Sequence, residues 1–297
     1  MVSKEQATVC FPLFCHDFDP RYGGTSRPGD RPCSDVLGVL GCHLGAGKHF
    51  PVLCQGGKMK VLLVTTYFQP AWDWGGPVRS MWNLARGLAR EGVGVSVLTT
   101  DAKQTGVVDV APKRVEEGVR IVTAKVAGGG RIRSANRYGV STRLPRLVPR
   151  LVEKSDVLHL NGFWGLPSVW GALSGLFRKK PYIISARGNL ELRSLLERKA
   201  KKNIALRLGI KRIVQKASRI HFTTESERRL SPAWAKSFAS FIVPNAVEIG
   251  PRADGGRVRD RYNIPPAALL LGVVGRLHRR KGFDTAIKAL GFAEKQK

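Results

Sequence analysis

The chain is short of several things, and each shortage excludes something. Past residue 54 there is no cysteine: Cys10, Cys15, Cys33, Cys42 and Cys54 all stand before residue 59. An odd count, with no charged and then apolar secretory segment after Met1, argues against a disulfide framework. No C-x-x-C pair occurs and the spacings match no standard finger, so no metal site is expected. Acidic residues are scarce, 22 against 50 Lys and Arg, which gives a formal charge of +28. That surplus favours anionic partners such as nucleic acid, acidic membrane or phosphorylated ligands. No zinc-finger, homeodomain or RNP-type pattern accompanies it, which argues against a nucleic-acid partner. The glycines never form G-x-G-x-x-G, so a nicotinamide cofactor has little support. Gly45-Ala46-Gly47-Lys48 imitates a phosphate loop, but Cys42 and His49 stand where Gly and Ser or Thr are needed.

What is present is a globular composition, 43% hydrophobic over 297 residues, enough for about two domains. Residues 1–58 stand apart. They show no sustained helical or strand period, and turn formers crowd into Asp17–Gly24 and Arg27–Asp30. Residues 59–297 hold 44 basic and 17 acidic residues, a balance of +27. Cysteine content, charge and periodicity all change at Met59, which is followed by the strand-like Lys60-Val61-Leu62-Leu63-Val64. Residues 1–58 are therefore expected to be a disordered or spurious leader outside the compact fold, with Met59 the natural start.

From Met59 the pattern alternates between strand and helix. Strands are expected at 61–66, 95–100, 119–122, 156–160, 182–185, 220–223 and 240–243. Helices are expected from Pro77, near 146–154 and 166–177, over 191–217, and over 225–235. Gly128-Gly129-Gly130 reads as a mobile loop or lid. The uncharged run 157–177, followed by Arg178-Lys179-Lys180, mimics a membrane span, but His159, Asn161, Pro167 and four glycines favour strand–turn–helix. The alternation predicts an α/β fold, a parallel sheet with helices on both faces.

Two junctions carry chemistry. Gly75-Gly76 ends the loop Gln69–Pro77 before a helix, where free N–H groups and the helix dipole favour an anion. The apolar run Leu269–Val274 reads as a strand, followed by Gly275-Arg276-Leu277-His278-Arg279-Arg280-Lys281-Gly282-Phe283-Asp284 and a helix from about Gly282. Arg276 and Lys281 thus flank a strand–loop–helix junction suited to a diphosphate.

These segments resemble the retaining family-4 glycosyltransferases of GT-B fold. The likeness runs through Gly75-Gly76, Asp156–Gly162, Ile184–Glu191, Thr223–Glu227, Val243–Val247 and the Arg276/Lys281 motif. It implies two Rossmann-like halves. Residues 59–248 would be the acceptor-side domain, and 249–297 the start of a donor-side domain that is largely missing. It implies a nucleotide-sugar donor, whose diphosphate Arg276 and Lys281 hold while the Gly75-Gly76 loop closes over the reacting centre. It implies a polysaccharide, oligosaccharide or lipid-linked acceptor, with Asn161 and Arg187 at the reacting centre. No cofactor or metal is expected; Asp17-Phe18-Asp19, the only Asp-x-Asp, lies in the leader.

The departures matter as well. Asn161 stands where relatives often carry a histidine, and an amide cannot exchange a proton at neutral pH. The family's E-x7-E element is absent, and 49 residues follow Glu248 where a domain needs about 100. The chain is therefore expected to be an inactive fragment, or a non-catalytic remnant that binds acceptor or membrane. Region 191–217, with nine cations against Glu191 and Glu197, is expected to touch an anionic membrane. The protein is expected to be cytoplasmic, with a peripheral position on the inner face of the cytoplasmic membrane as an option.

Overall fold

The structure, a computed structural model, describes residues 58–196, 199–247, 256–275, 277 and 281–294. The expected leader up to residue 57, its Gly45–Lys48 sequence and Arg276 lie outside the described residues. The chain divides into two units, Met1–Glu248 and Ile249–Lys297.

The first unit is built on one eight-stranded sheet: β1 (Lys60–Val64), β2 (Gly94–Thr100), β3 (Lys113–Glu116), β4 (Val119–Ala124), β5 (Val157–Asn161), β6 (Tyr182–Ser185), β7 (Arg219–Phe222) and β8 (Ser240–Ile242). Their spatial order is β3-β4-β2-β1-β5-β6-β7-β8, with every pairing parallel except β3 with β4. The helices are α1 (Gly76–Arg90), α2 (Arg133–Tyr138), α3 (Leu144–Glu153), α4 (Leu166–Phe177), α5 (Leu192–Leu196), α6 (Lys199–Ala205), α7 (Lys211–Gln215), α8 (Glu225–Arg229) and α9 (Ala233–Lys236). This is the Rossmann-like parallel arrangement that the alternation predicts.

The strand period of two divides the core. Val61 and Leu63 of β1 pack with Met81, Ala85 and Leu88 of α1 on one face. Leu62 and Val64 pack with Leu144, Val148 and Val152 of α3 and Ala172 of α4 on the other. A helix lies this close only where it has small residues. A Cβ on Gly171 would stand 2.9 Å from Leu160 Cδ2, and one on Gly175 2.8 Å from Leu158 Cδ1. The membrane-like run 157–177 is therefore β5, a turn and α4. No helix of the described residues is long and apolar enough to cross a membrane.

Four local expectations change. Lys113–Glu116 forms an antiparallel edge strand whose charged alternation hides it from a search for apolar runs. Gly128–Gly130 is a packed turn rather than a lid: a Cβ on Gly130 would lie 2.5 Å from the Gly106 backbone. Buried Asn136 donates to the carbonyls of Lys103, Gly106 and Gly130, tying the two turns together. The basic region 191–217 is no single helix: the last stretch before α7 is a π-turn, Leu206–Ile210, in which Gly209 has φ 137°. Helix 225–235 breaks into α8 and α9 at Ser231-Pro232.

The second unit contains α10 (Gly256–Arg261) and α11 (Phe283–Glu294), the latter close to the expected helix start. Leu269–Val274 forms no strand. A doubly buried parallel strand needs neighbours on both edges. Among the described residues of this unit there is no strand for it to pair with, and Val274 is fully exposed.

Candidate functional site

The sheet order reverses between β1 and β5: the chain winds outward through β2 on one side and through β6 on the other. Ligands of open α/β sheets bind at the carboxyl ends of the strands beside such a reversal. At that place Thr65 follows β1 and Asn161 ends β5, and Asn161 Nδ2 donates to Thr65 Oγ1 at 3.1 Å. Thr65 Oγ1 in turn donates to the carbonyl of Tyr67 at 3.0 Å. The two strand ends are thus fixed to each other by side chains.

Arg187, two residues past β6, extends this arrangement. Its Nε donates to Asn161 Oδ1 at 3.1 Å, its Nη1 donates to Asn245 Oδ1, and its Nη2 points at Met81 Sδ of α1 at 3.7 Å. The structure thus brings together the two residues expected at the reacting centre. Burial lowers the Arg187 pKa to about 10, opposed by the negative charge of Glu227, so the group stays protonated at neutral pH.

The backbone that presents Arg187 is strained, with φ 50° in the left-handed region. Glu227 holds it. This buried carboxylate accepts from Gly188 N–H, from Thr223 N–H at 2.7 Å and from Thr223 Oγ1 at 2.8 Å. Thr224 caps α8 by accepting from Glu227 N–H at 3.0 Å. Thr224-Glu225-Ser226-Glu227 has the spacing of a capping box, but the Glu227 side chain turns to the preceding residue and to the Arg187–Gly188 turn. That spacing was the signal a sequence reading could have used.

Beneath Arg187 lies a polar chain inside the sheet. His159 Nε2 and Ser185 Oγ are 2.5 Å apart, Ser185 Oγ and His221 Nδ1 2.7 Å, and His221 Nε2 and the Val243 carbonyl 2.9 Å. The carbonyl can only accept, so His221 carries its proton on Nε2. Its Nδ1 then accepts from Ser185, and Ser185 accepts from His159 Nε2–H. Both rings are neutral in this arrangement. Burial is the largest cause holding both below the usual histidine pKa, and the Arg187 charge adds to it. Residues of four adjacent strands or their ends are joined by side chains across the sheet, which neither periodicity nor motif spacing could reveal.

Gly75 and Gly76 stand at the N-terminus of α1, five or six residues ahead of Met81. Gly75 needs its glycine for φ 76°, and no atom lies within 4 Å of a Cβ built on either residue, so the backbone is open to a ligand. The loop before them is pinned. Trp74 Nε1 donates to the Ala102 carbonyl at 3.1 Å, its ring stacks on Tyr67 at 3.7 Å, and Gln104 N–H donates to Asp73 Oδ2 at 2.7 Å. Lys281 is exposed just ahead of α11 in the second unit. Among the described residues no cluster of three His, Cys, Asp or Glu side chains could hold a metal ion.

The family model of the glycosyl transferase 4-like domain matches residues 75–246. That span takes in the Gly75-Gly76 turn, Asn161, Arg187, Glu227 and Asn245. Among solved structures, sucrose-phosphate synthase from Thermosynechococcus elongatus is similar, with 17% identity and a TM-score of 0.53 over 78% of this chain and 59% of that one. Anabaena HepE, solved with UDP and glucose, is similar at 15% identity and a TM-score of 0.51, over 78% of this chain and 57% of that one. The chain spans under two thirds of either protein's length. At these identities the likeness shows a shared fold, the Rossmann-like architecture of GT-B proteins. No curated protein matches the chain in sequence.

Proposed function

Because the chain belongs to the glycosyl transferase 4-like family, we propose that it serves transfer of a sugar from a nucleotide-sugar to a glycan or lipid-linked acceptor, with retention. Residues 59–248 form the acceptor side, and 249–297 begin the donor side. The observation that supports this most is the Arg187–Asn161 pair at the sheet reversal, inside the family-matched span. Asn161 can orient a sugar hydroxyl by hydrogen bonding, and Arg187 can stabilise negative charge beside it. Gly75 and Gly76 offer open backbone at a helix N-terminus for the closing contact on the donor. HepE was solved with UDP and glucose, which supports a nucleotide-sugar partner of that kind.

In this reading Arg276 and Lys281 neutralise the diphosphate as it leaves, so the chemistry asks for no metal or other cofactor. Charge-assisted hydrogen bonds to phosphate contribute roughly 1.5–3 kcal/mol each. Arg276→Ala and Lys281→Ala should each weaken UDP binding by at least about tenfold in calorimetric titration. Unchanged affinity in both variants would refute the donor assignment.

A membrane contact is the second part of the proposal. Leu192, Leu196, Ile204 and Leu208 are exposed, Leu208 by 83%, with Arg207, Lys211 and Arg212 exposed beside them. Apolar side chains that project among cations suit an anionic lipid surface. This supports a peripheral position on the inner face of the cytoplasmic membrane.

A further inference from the structure

Arg187 is a half-buried cation with no carboxylate on it. Its three observed partners are two amide oxygens and a thioether, all neutral. Among the described residues no Asp or Glu side chain comes within ion-pair distance of it. Glu227 is the acid whose field it feels, yet the oxygens of Glu227 are taken up by Gly188 and Thr223. The two histidines beneath are neutral. A desolvated charge held only by dipoles is unfavourable unless something else compensates it. Three of the five guanidinium N–H bonds are used, which leaves two for a ligand, the number a planar oxyanion takes from an arginine.

The surroundings repeat the same preference. Met81, against the guanidinium, lies in the second turn of α1, a fifteen-residue helix whose positive end is nearby. The side-chain partners come from the ends of β5 and the segment after β8, so the group sits where open sheets take ligands. Its backbone strain is maintained by Glu227, a held geometry in place of a chance rotamer.

We infer that Arg187, with Asn161 and Asn245, binds an oxyanion carried by the acceptor, so that the acceptor bears a phosphate or carboxylate group. The word acceptor rests on the glycosyltransferase reading above; the anion subsite does not. Asn161 and Asn245 spread the guanidinium plane across the strand ends and keep it from turning inward.

The test uses the whole 297-residue chain with Arg276→Ala and Lys281→Ala introduced, which keeps anions off the donor motif. Inorganic phosphate and glucuronate are titrated calorimetrically against sodium chloride at matched ionic strength. One or both should bind better than chloride, and the tighter of the two names the charged group on the acceptor. Arg187→Gln should weaken that binding at least about tenfold. Asn245→Asp keeps the shape and places a carboxylate on the guanidinium. It should weaken anion binding by a similar factor while raising the unfolding midpoint, so the test survives if Arg187→Gln fails to fold. Binding no better than chloride, or undiminished affinity in either variant, overturns the inference. UDP titration of the chain with Arg276 and Lys281 intact reports the donor reading separately. Failure there, with the Arg187-dependent anion binding present, removes the donor assignment and supports the subsite on its own.

Discussion

Acidification should unfold this protein through its two buried histidines. His159 and His221 share Ser185 between β5, β6 and β7, and burial holds both pKa values below the ordinary 6.5. The unfolded chain therefore binds more protons than the folded one as the pH falls below about 6.5, and stability rises with pH in that window. If both rings stay neutral in the folded state down to pH 5.5, each contributes about 1.4 kcal/mol of lost stability, or about 3 kcal/mol together. Urea unfolding at pH 8.0, 6.5 and 5.5 measures this directly. Asp101, whose pKa is raised chiefly by burial, works in the opposite direction as the pH falls. Its protonation at lower pH favours the folded state and would mask the loss. His159→Asn should halve the slope whatever its own stability. An unfolding free energy that stays flat within about 0.5 kcal/mol from pH 8.0 to 5.5 would refute the reasoning, since the expected loss of about 3 kcal/mol exceeds ordinary extrapolation error.

Three further outcomes follow from the same geometry. Ser185→Ala strips two buried ring nitrogens of their common partner, and urea unfolding at pH 8 should show a loss of roughly 2–4 kcal/mol. Glu227→Gln sets an amide donor against the Thr223 or Gly188 N–H. It should cost roughly 2–4 kcal/mol in the same assay and bring hydrogen exchange to the Gly188 amide. Sedimentation with anionic vesicles should carry the protein down at low salt and release it near 1 M, where the Debye length is about 3 Å; equal binding to neutral vesicles, or none to either, would remove the membrane contact.

Much of the fold was legible because it depends on local patterns. The apolar runs of β1, β5 and β6, the Pro77 helix start and the glycines of α4 each announce their structure within a few residues. A parallel sheet follows from the alternation, since such strands need helical crossovers. Asn161 and Arg187 were legible only through motif likeness, as two residues 26 apart that the structure joins at 3.1 Å. The charged edge strand β3 was hidden because it buries one face only. Leu269–Val274 has the composition of a strand, yet a strand is a property of a pair, and composition cannot supply the partner.

By itself the sequence determined the type and order of most elements of the first unit, because helix and strand periods, proline starts and glycine stops act over one or two turns. The strand order, and therefore the reversal between β1 and β5, was decided by tertiary structure. So was the register that sets His159, Ser185 and His221 side by side. Those three sit on separate strands, 26 and 36 residues apart, and only parallel pairing at one particular register brings their side chains within hydrogen-bond reach. The same holds for Glu227, whose carboxylate completes a helix-cap spacing in the sequence but in the fold secures the turn that presents Arg187. Long-range closure of that kind depends on where the sheet folds back, which no short stretch of the chain specifies.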